Sequence, residues 1–261
     1  MVDVGAHAVR IELDRAELGL VWRRSGLPAL PDVLDVRQGG AQPGDGTVDR
    51  LGARGLVGPR GELNPDLRQV LGVLTGAPSE LDLRVAGGPV MRAVATVRAG
   101  VVAIGMVRGD RITLRRLPGK WVDEAAGAAL VGLLPRVPPA NGTSVSLPQD
   151  DVVDLILAAM AQGRSTDERV TEGLVARGVD PVDARMFASL TSDRRVRYAV
   201  FGLTVRDNRG VRRRAARSMR TVDTERGRAM LVARDGFLTA SPVDDSGLTS
   251  ALVDLHEPAL G

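Results

Sequence analysis

Apolar and polar residues alternate in two separate stretches of the chain, and this alternation predicts two groups of β-strands. The first group covers residues 81–85, 91–97, 101–107 and 111–115, and the second covers 196–205, 219–224, 228–233 and 237–241. The links Arg98–Gly100 and Arg108–Asp110 have the length of tight hairpins, so the first group is expected to be an antiparallel meander. Residues 101–107 are apolar or small throughout, which indicates a central strand covered on both faces.

Apolar residues spaced by three or four positions predict helices around and between these strands. After a possible strand at 8–13, the predicted segments are a helix that ends near Gly26 and helices over 65–76, 123–134, 150–161, 166–177, 181–190 and 244–256. Asn64 followed by Pro65 is a typical helix start, because the asparagine caps the first turn and proline fits its first position. The link Gly178–Asp180 is short, so the two helices that flank it are expected to form an αα hairpin.

The two strand groups resemble each other, which points to an internal repeat. Residues 92–98 and 220–226 are identical at four of seven positions, and the matching hairpins and closing helices follow in the same order. We therefore predict halves at 1–134 and 150–257, joined by a proline-rich linker at 135–148. Two such halves can pair their sheet edges about a pseudo-twofold axis, which gives an α+β fold with one central antiparallel sheet flanked by helices.

Composition excludes several classes of site in this chain of 261 residues. The chain has no cysteine and only two histidines, so thiolate catalysis, sulfur-ligated metals and His-rich metal sites are excluded. No apolar run reaches the ~18 residues of a membrane span. The N-terminus shows no secretory signal, so the protein is expected to be cytoplasmic.

Candidate catalytic groups are few, and each has a simpler explanation. His7 and His256 lie near the two ends of the chain, where solvated side chains are common. The acidic pairs at 150–151 and 244–245 stand at predicted helix starts, where carboxylates cap the helix. The glycines of 55–61 have the wrong spacing for a dinucleotide loop. We therefore expect a binding protein that is not an enzyme and has no cofactor.

One strongly basic segment leaves two interpretations open. Residues 206–220 contain seven arginines against one acid, Asp207. The segment is expected to be a mobile, solvated loop between strands; alternatively, its arginines bind nucleic acid or an acidic protein surface. No aromatic residue in it could stack on bases, so nucleic acid is not the expected partner.

The order of elements and several motifs resemble the EspG family, the secretion-associated chaperones of type VII (ESX) systems in actinobacteria. The resemblance spans nearly the whole chain, and its motifs are Arg54-Gly-Leu-Val57, Gly61-Glu-Leu-Asn-Pro65, the 92–114 meander, Leu147-Pro148, Thr221–Arg228, Asp235-Gly-Phe237 and Ser241–Asp245. It implies a cytosolic chaperone that covers the apolar tip of a PE–PPE substrate heterodimer and directs it to one secretion system. The implied fold is a central sheet with quasi-twofold halves and a C-terminal helical bundle. Family members occur as monomers and homodimers.

The resemblance also implies where the partner binds: the loop between the second and third strands, the sheet face and the C-terminal helices. Carried over to this chain, these are the link 86–89 and the predicted αα hairpin. The candidate contact residues are Ala86, Gly87, Gly88, Pro89, Met91, Leu174, Val182, Met186 and Phe187. The loop is long in the family but has four residues here, so more of the contact is expected on the sheet and helices.

Overall fold

A computed structural model describes residues 8–34, 46–118, 122–152, 155, 167–191, 197–207 and 209–255. Its strands are β1 Val9–Asp14, β2 Ser79–Ala86, β3 Met91–Arg98, β4 Val101–Arg108, β5 Arg111–Pro118, β6 Val145–Pro148, β7 Arg197–Arg206, β8 Arg212–Thr224, β9 Gly227–Arg234 and β10 Phe237–Pro242. Its helices are α1 Arg15–Ser25, α2 Thr47–Ala53, α3 Pro65–Gly76, α4 Val122–Val131, α5 Asp167–Val175, α6 Pro181–Thr191 and α7 Asp245–Asp254, with a short 3₁₀ helix at Asp32–Leu34.

The ten strands form one sheet in the order β1-β5-β4-β3-β2-β7-β8-β9-β10-β6. Neighbouring strands of the first meander are antiparallel, with Met91 opposite Arg108 and Val101 opposite Pro118. In the second meander, β8, β9, β10 and β6 also pair antiparallel. The predicted antiparallel sheet flanked by helices is therefore confirmed, including a β4 that is buried on both faces along most of its length.

Local signals in the sequence explain where several elements begin. The Asn64 side chain accepts hydrogen bonds from the backbone N–H groups of Asp66 and Leu67, and Pro65 opens α3 as predicted. At α1, Asp14 and Glu17 form a reciprocal capping box, and Gly26 ends the helix in a left-handed conformation. None of the helices in the described ranges is long and apolar enough to cross a membrane.

The chain divides into two compact units. The first consists of Met1–Leu83, Val90–Leu130 and Leu203–Arg214. In its core, α1, α2, α3 and the 3₁₀ helix pack against strands β3, β4 and β5. The fully buried members include Leu18, Val21, Leu51, Leu67, Leu71, Leu74, Val94 and Leu114.

The second unit consists of Arg84–Pro89, Val131–Gly202 and Ala215–Gly261. Its core lies between α5 and α6 on one side and strands β6, β8, β9 and β10 on the other. Its buried residues include Val145, Leu147, Val170, Leu174, Phe187, Leu190, Val222, Leu231 and Leu238.

Three segments differ from the prediction. The segment from Arg212 onward was expected to be a solvated loop but is the first half of β8. Residues 145–148, assigned to the linker, form β6, because they pair with β10. Helix α2 was not predicted, since its seven residues include Gly52 and carry only a short apolar pattern. Most of the predicted helix at 150–161 lies outside the described residues.

Candidate partner-binding surface

Helices α5 and α6 form the αα hairpin that the sequence predicted, and a compact turn joins them. The N–H of Gly178 donates to the carbonyl of Val175 at 2.9 Å, and that of Val179 donates to Leu174 at 3.2 Å. Asp180 caps α6, since its carboxylate accepts from the N–H of Val182 at 2.7 Å. These bonds fix the turn, so the side chains around it are presented in a defined arrangement.

One side of the hairpin belongs to the core of the second unit, and the end near the turn faces solvent. Val175 is 39% exposed and Val182 is 63% exposed, whereas Leu174 and Phe187 are fully buried. We call residues 175–182 the hairpin tip. Exposed valines therefore flank the tight turn on both sides. Exposed apolar side chains mark sites of protein contact when they form a contiguous surface.

Charged side chains of both signs surround the valines of the hairpin tip. Arg177 Nη1 donates to the carbonyl of Gly173 at 2.9 Å, and Arg185 Nε donates to that of Pro181 at 3.0 Å. Both arginines are exposed, and so are Asp180 and Asp183. The tip therefore combines apolar side chains with a mixed charged rim, as protein-contact surfaces commonly do.

The turn between β2 and β3 is a second exposed segment of the predicted site. Residues 86–89 are all exposed, and the next residue, Val90, is 66% exposed. Residues 86–89 belong to the second unit, as the hairpin does. This turn is short and carries two glycines, so it presents little side-chain surface to a partner.

The structure separates the predicted contact residues into three groups. Exposed positions are Ala86, Gly87, Gly88, Pro89 and Val182, and Met186 is half-buried. Met91, Leu174 and Phe187 are buried. The last three contribute to packing within the protein. They were named because the family resemblance places the contact on the hairpin and the sheet, and a resemblance between elements does not show which side chains of an element are exposed.

Sequence reasoning missed two exposed apolar residues, Val90 and Val175. Val175 directly precedes the small and polar residues of the turn, and Val90 follows a proline in a glycine-containing link. An apolar residue next to a turn was the available signal, since turns lie on the surface.

The arginines of 206–220 are used largely within the first unit. Glu80 of β2 forms ion pairs with Arg206, at 3.5 Å, and with Arg212. Asp82, two positions further along β2, pairs with Arg214. Glu80 and Asp82 are buried, so these contacts compensate two carboxylates that would be costly to leave alone. Burial raises the pKa of Glu80, and the charges of Arg212 and Arg206 oppose that rise.

The pairing of these arginines argues against the alternative in which residues 206–220 bind nucleic acid or an acidic protein surface. Three of the seven arginines contact Glu80 or Asp82, and Arg213 pairs with Asp207 at 3.3 Å. Cations engaged in this way are less available to a phosphate backbone.

The acidic side chains in the ranges that the structure describes do not form a metal centre. No group of three or more His, Asp or Glu side chains is arranged there to hold a metal ion. Asp244 caps α7, as predicted, by accepting from the N–H of Gly247 at 2.7 Å. His7 and His256 lie outside the described residues.

Comparison with known proteins identifies one family and one fold. The sequence model of the EspG family matches residues 14–254. The structure is similar to that of the Mycobacterium tuberculosis type VII secretion system chaperone EspG5 in complex with the PE25-PPE41 dimer, with a TM-score of 0.73 and 14% sequence identity over 95% of this chain and 96% of that one. No protein with a curated description matches the chain significantly.

Proposed function

The chain belongs to the EspG family, and on that basis we propose that it is a cytosolic chaperone for a PE–PPE-like heterodimer of a type VII secretion system. It binds the apolar tip of the helical substrate, keeps the substrate soluble and directs it to its secretion system. The observation that carries this proposal is the family match, which spans residues 14–254. The similarity to a chaperone solved with a PE–PPE dimer, over nearly the full length of both chains, supports it.

We propose that the hairpin tip makes the main apolar contact. Val182 and Val175 offer exposed apolar surface at a rigid turn, so little conformational entropy is lost when a partner covers them. The turn 86–89 is a secondary contact, because its four residues cannot reach far over a partner.

We further propose that the two strand groups arose by duplication and are related by quasi-twofold symmetry. The strand order supports this, because it reads equivalently from both ends when β1 corresponds to β6, β5 to β10, β4 to β9, β3 to β8 and β2 to β7. Each meander is also followed by a helix, α4 or α7. The boundaries 1–134 and 150–257 remain a prediction from the sequence.

Co-expression with a candidate PE–PPE pair tests the function. We expect the substrate pair to become soluble and to elute with the chaperone as one complex from size-exclusion chromatography. A substrate that stays insoluble, or that elutes alone, would contradict the proposal.

Two matched variants test the location of the contact. Val182→Asp should weaken the complex at least about tenfold, because a carboxylate would be buried against an apolar partner. Val211→Asp is the control, since Val211 is also an exposed valine at a turn. Its exposed fraction is 51%, against 63% for Val182. Loss of binding in Val211→Asp alone would instead place the partner on the arginine segment. Circular dichroism and thermal melting establish that both variants are folded.

A further inference from the structure

An open cavity of about 470 Å³ lies in the first unit, apart from the hairpin tip. It is lined by Arg24 near the end of α1, Val48 of α2 and the segment 58–61. The spacing of the glycines in this part of the sequence excludes a dinucleotide-binding loop. Their position beside two arginines suggests a different use.

The segment 58–61 is a rigid turn that fixes Arg60. The N–H of Gly61 donates to the carbonyl of Gly58 at 2.9 Å, and the N–H of Gly58 donates to the carbonyl of Glu62 at 2.8 Å. The backbone N–H of Arg60 donates to the carboxylate of Glu62 at 3.0 Å. These bonds hold the backbone of the segment that carries Arg60 at the cavity, and the Arg60 side chain is exposed.

Arg24 reaches the same turn from α1. A Cβ atom on Gly61 would lie 3.4 Å from Nη1 of Arg24, so the guanidinium rests against the bare backbone of this glycine. Gly61 also has a φ of +83°, which favours glycine. The Arg24 guanidinium and the segment that carries Arg60 therefore line the same cavity.

Neither guanidinium has an ion-pair partner in the part of the chain that the structure describes. Arg206, Arg212, Arg213 and Arg214, in contrast, are paired with Glu80, Asp82 or Asp207. The Glu62 carboxylate at this turn accepts from the backbone N–H of Arg60 and pairs with neither guanidinium within the described residues. An added anion would therefore be attracted by both positive charges. Guanidinium groups bind oxyanions with two parallel N–H bonds, which makes carboxylate and phosphate the matching chemistry.

We propose that the cavity lined by Arg24 and Arg60 is a binding site for a small oxyanion ligand, carrying phosphate or several carboxylates, with the exposed Val48 contacting its apolar part. This site is independent of the proposed chaperone function, because it lies in the first unit and uses no residue of the hairpin tip.

Titration of the full chain with inorganic pyrophosphate and, separately, with citrate tests the site. Isothermal calorimetry gives the affinity, and amide shifts of Arg60, Gly61 and Val48 in ¹⁵N NMR spectra locate the ligand. Binding of pyrophosphate alone identifies a phosphate site, and binding of citrate alone identifies a carboxylate site; either result supports the proposal.

Charge-neutral variants show whether the two arginines are responsible. Arg24→Gln and Arg60→Gln should each weaken binding about tenfold, as expected for loss of one charge-assisted contact. Arg23→Gln is the control, since Arg23 is the exposed neighbour of Arg24 on α1 and does not line the cavity. Equal affinity in the wild type and the Arg24→Gln/Arg60→Gln double variant, or no binding of either anion at low salt, would overturn the proposal.

Discussion

Arg228 and Asp223 face each other on neighbouring strands and form two parallel hydrogen bonds, Nε to Oδ1 at 2.7 Å and Nη2 to Oδ2 at 3.1 Å. The same guanidinium donates to Asp245 at 2.8 Å and to the carbonyl of Pro135 at 2.8 Å. Arg228 is completely buried. It thereby connects the β8–β9 hairpin, the start of α7 and the proline-rich segment within the second unit.

Replacement of Arg228 should strongly reduce the stability of the protein. Arg228→Lys keeps the charge but loses the planar donor set, leaving Asp223 and Asp245 incompletely bonded. We expect the free energy of unfolding to fall by about 2 to 3 kcal/mol, because buried charged groups lose hydrogen bonds. Denaturant titration measures this loss.

Arg226→Lys is the matched control for this measurement. Arg226 lies two residues away and pairs with Asp167, but its side chain is half exposed. Exposed pairs contribute less than about 1 kcal/mol, so this variant should remain close to the wild type. Equal losses in the two variants would show that the buried network does not determine stability.

Gly227, next to Arg228, should tolerate no side chain. A Cβ there would lie 2.7 Å from backbone atoms of Pro138 and Ala140, which cannot move aside as a flexible side chain can. Gly236 also has a positive φ, but a Cβ on it would meet nothing within 4 Å. We expect Gly236→Ala to cost about 1 kcal/mol from backbone strain and Gly227→Ala about 3 kcal/mol. Chemical denaturation compares the two, and similar losses would argue against close packing of the proline-rich segment.

Tyr198 provides a spectroscopic test of the second unit, because it is the only tyrosine of the chain. Burial raises the pKa of its phenol above the usual value of about 10. Stability linked to the neutral phenol is present in full below the unfolded-state pKa and is lost as the pH rises through the folded-state pKa.

Ultraviolet absorbance at alkaline pH follows this single ionisation directly. The folded protein should titrate at higher pH than the protein in concentrated denaturant, and Tyr198→Phe should show no transition. Coincident titration curves in the folded and unfolded states would mean that the phenol is solvated.

Side chains protect the outer edge of β1. Loss of this protection should promote association between protein molecules. β1 is the first strand in the sheet order. Arg54 bonds to the carbonyl of Glu12, and Glu17, which pairs with Arg54 at 3.1 Å, accepts from the N–H of Asp14 at 3.0 Å. These bonds occupy backbone groups that could otherwise pair with a strand from another molecule.

Arg54→Ala should therefore give larger species than the wild type in size-exclusion chromatography with light scattering, increasingly so at high protein concentration. Arg50→Ala is the control, because Arg50 lies on α2, four residues before Arg54, and contacts the carboxylates of Asp14 and Glu17 only at 3.7 and 3.8 Å. An unchanged mass for Arg54→Ala would contradict a protective role of this arginine.

Sequence patterns identified most of the fold because its elements depend on local signals. The cap at Asn64, the hairpin links of the first meander and the spacing in α6 are all encoded within a few residues. The beginning of β8 is not encoded locally. Arg212 and Arg214 resemble a solvated loop until Glu80 and Asp82, far away in the sequence, are found beside them.

The candidate site was predicted less completely for a related reason. The helical spacing of Leu174 and Phe187 shows that they are buried, but it does not show whether the protein or a partner buries them. Val182 was named as part of the hairpin that the family resemblance implies, and its side chain is exposed. The cavity at Arg24 and Arg60 depends on a contact between distant segments, which composition and spacing do not reveal.

The acidic residues of β2 also determine the stage of synthesis at which the first unit can complete its folding. Glu80 and Asp82 precede Arg212 and Arg214 by 132 positions. A nascent chain that has emerged from the ribosome only as far as β5 holds these carboxylates without the guanidinium groups of Arg212 and Arg214. This part of the first unit can be completed only after Arg214 has been synthesised. Folding of the first unit is therefore expected to finish late in translation, and a fragment that ends near residue 130 should not fold stably by itself.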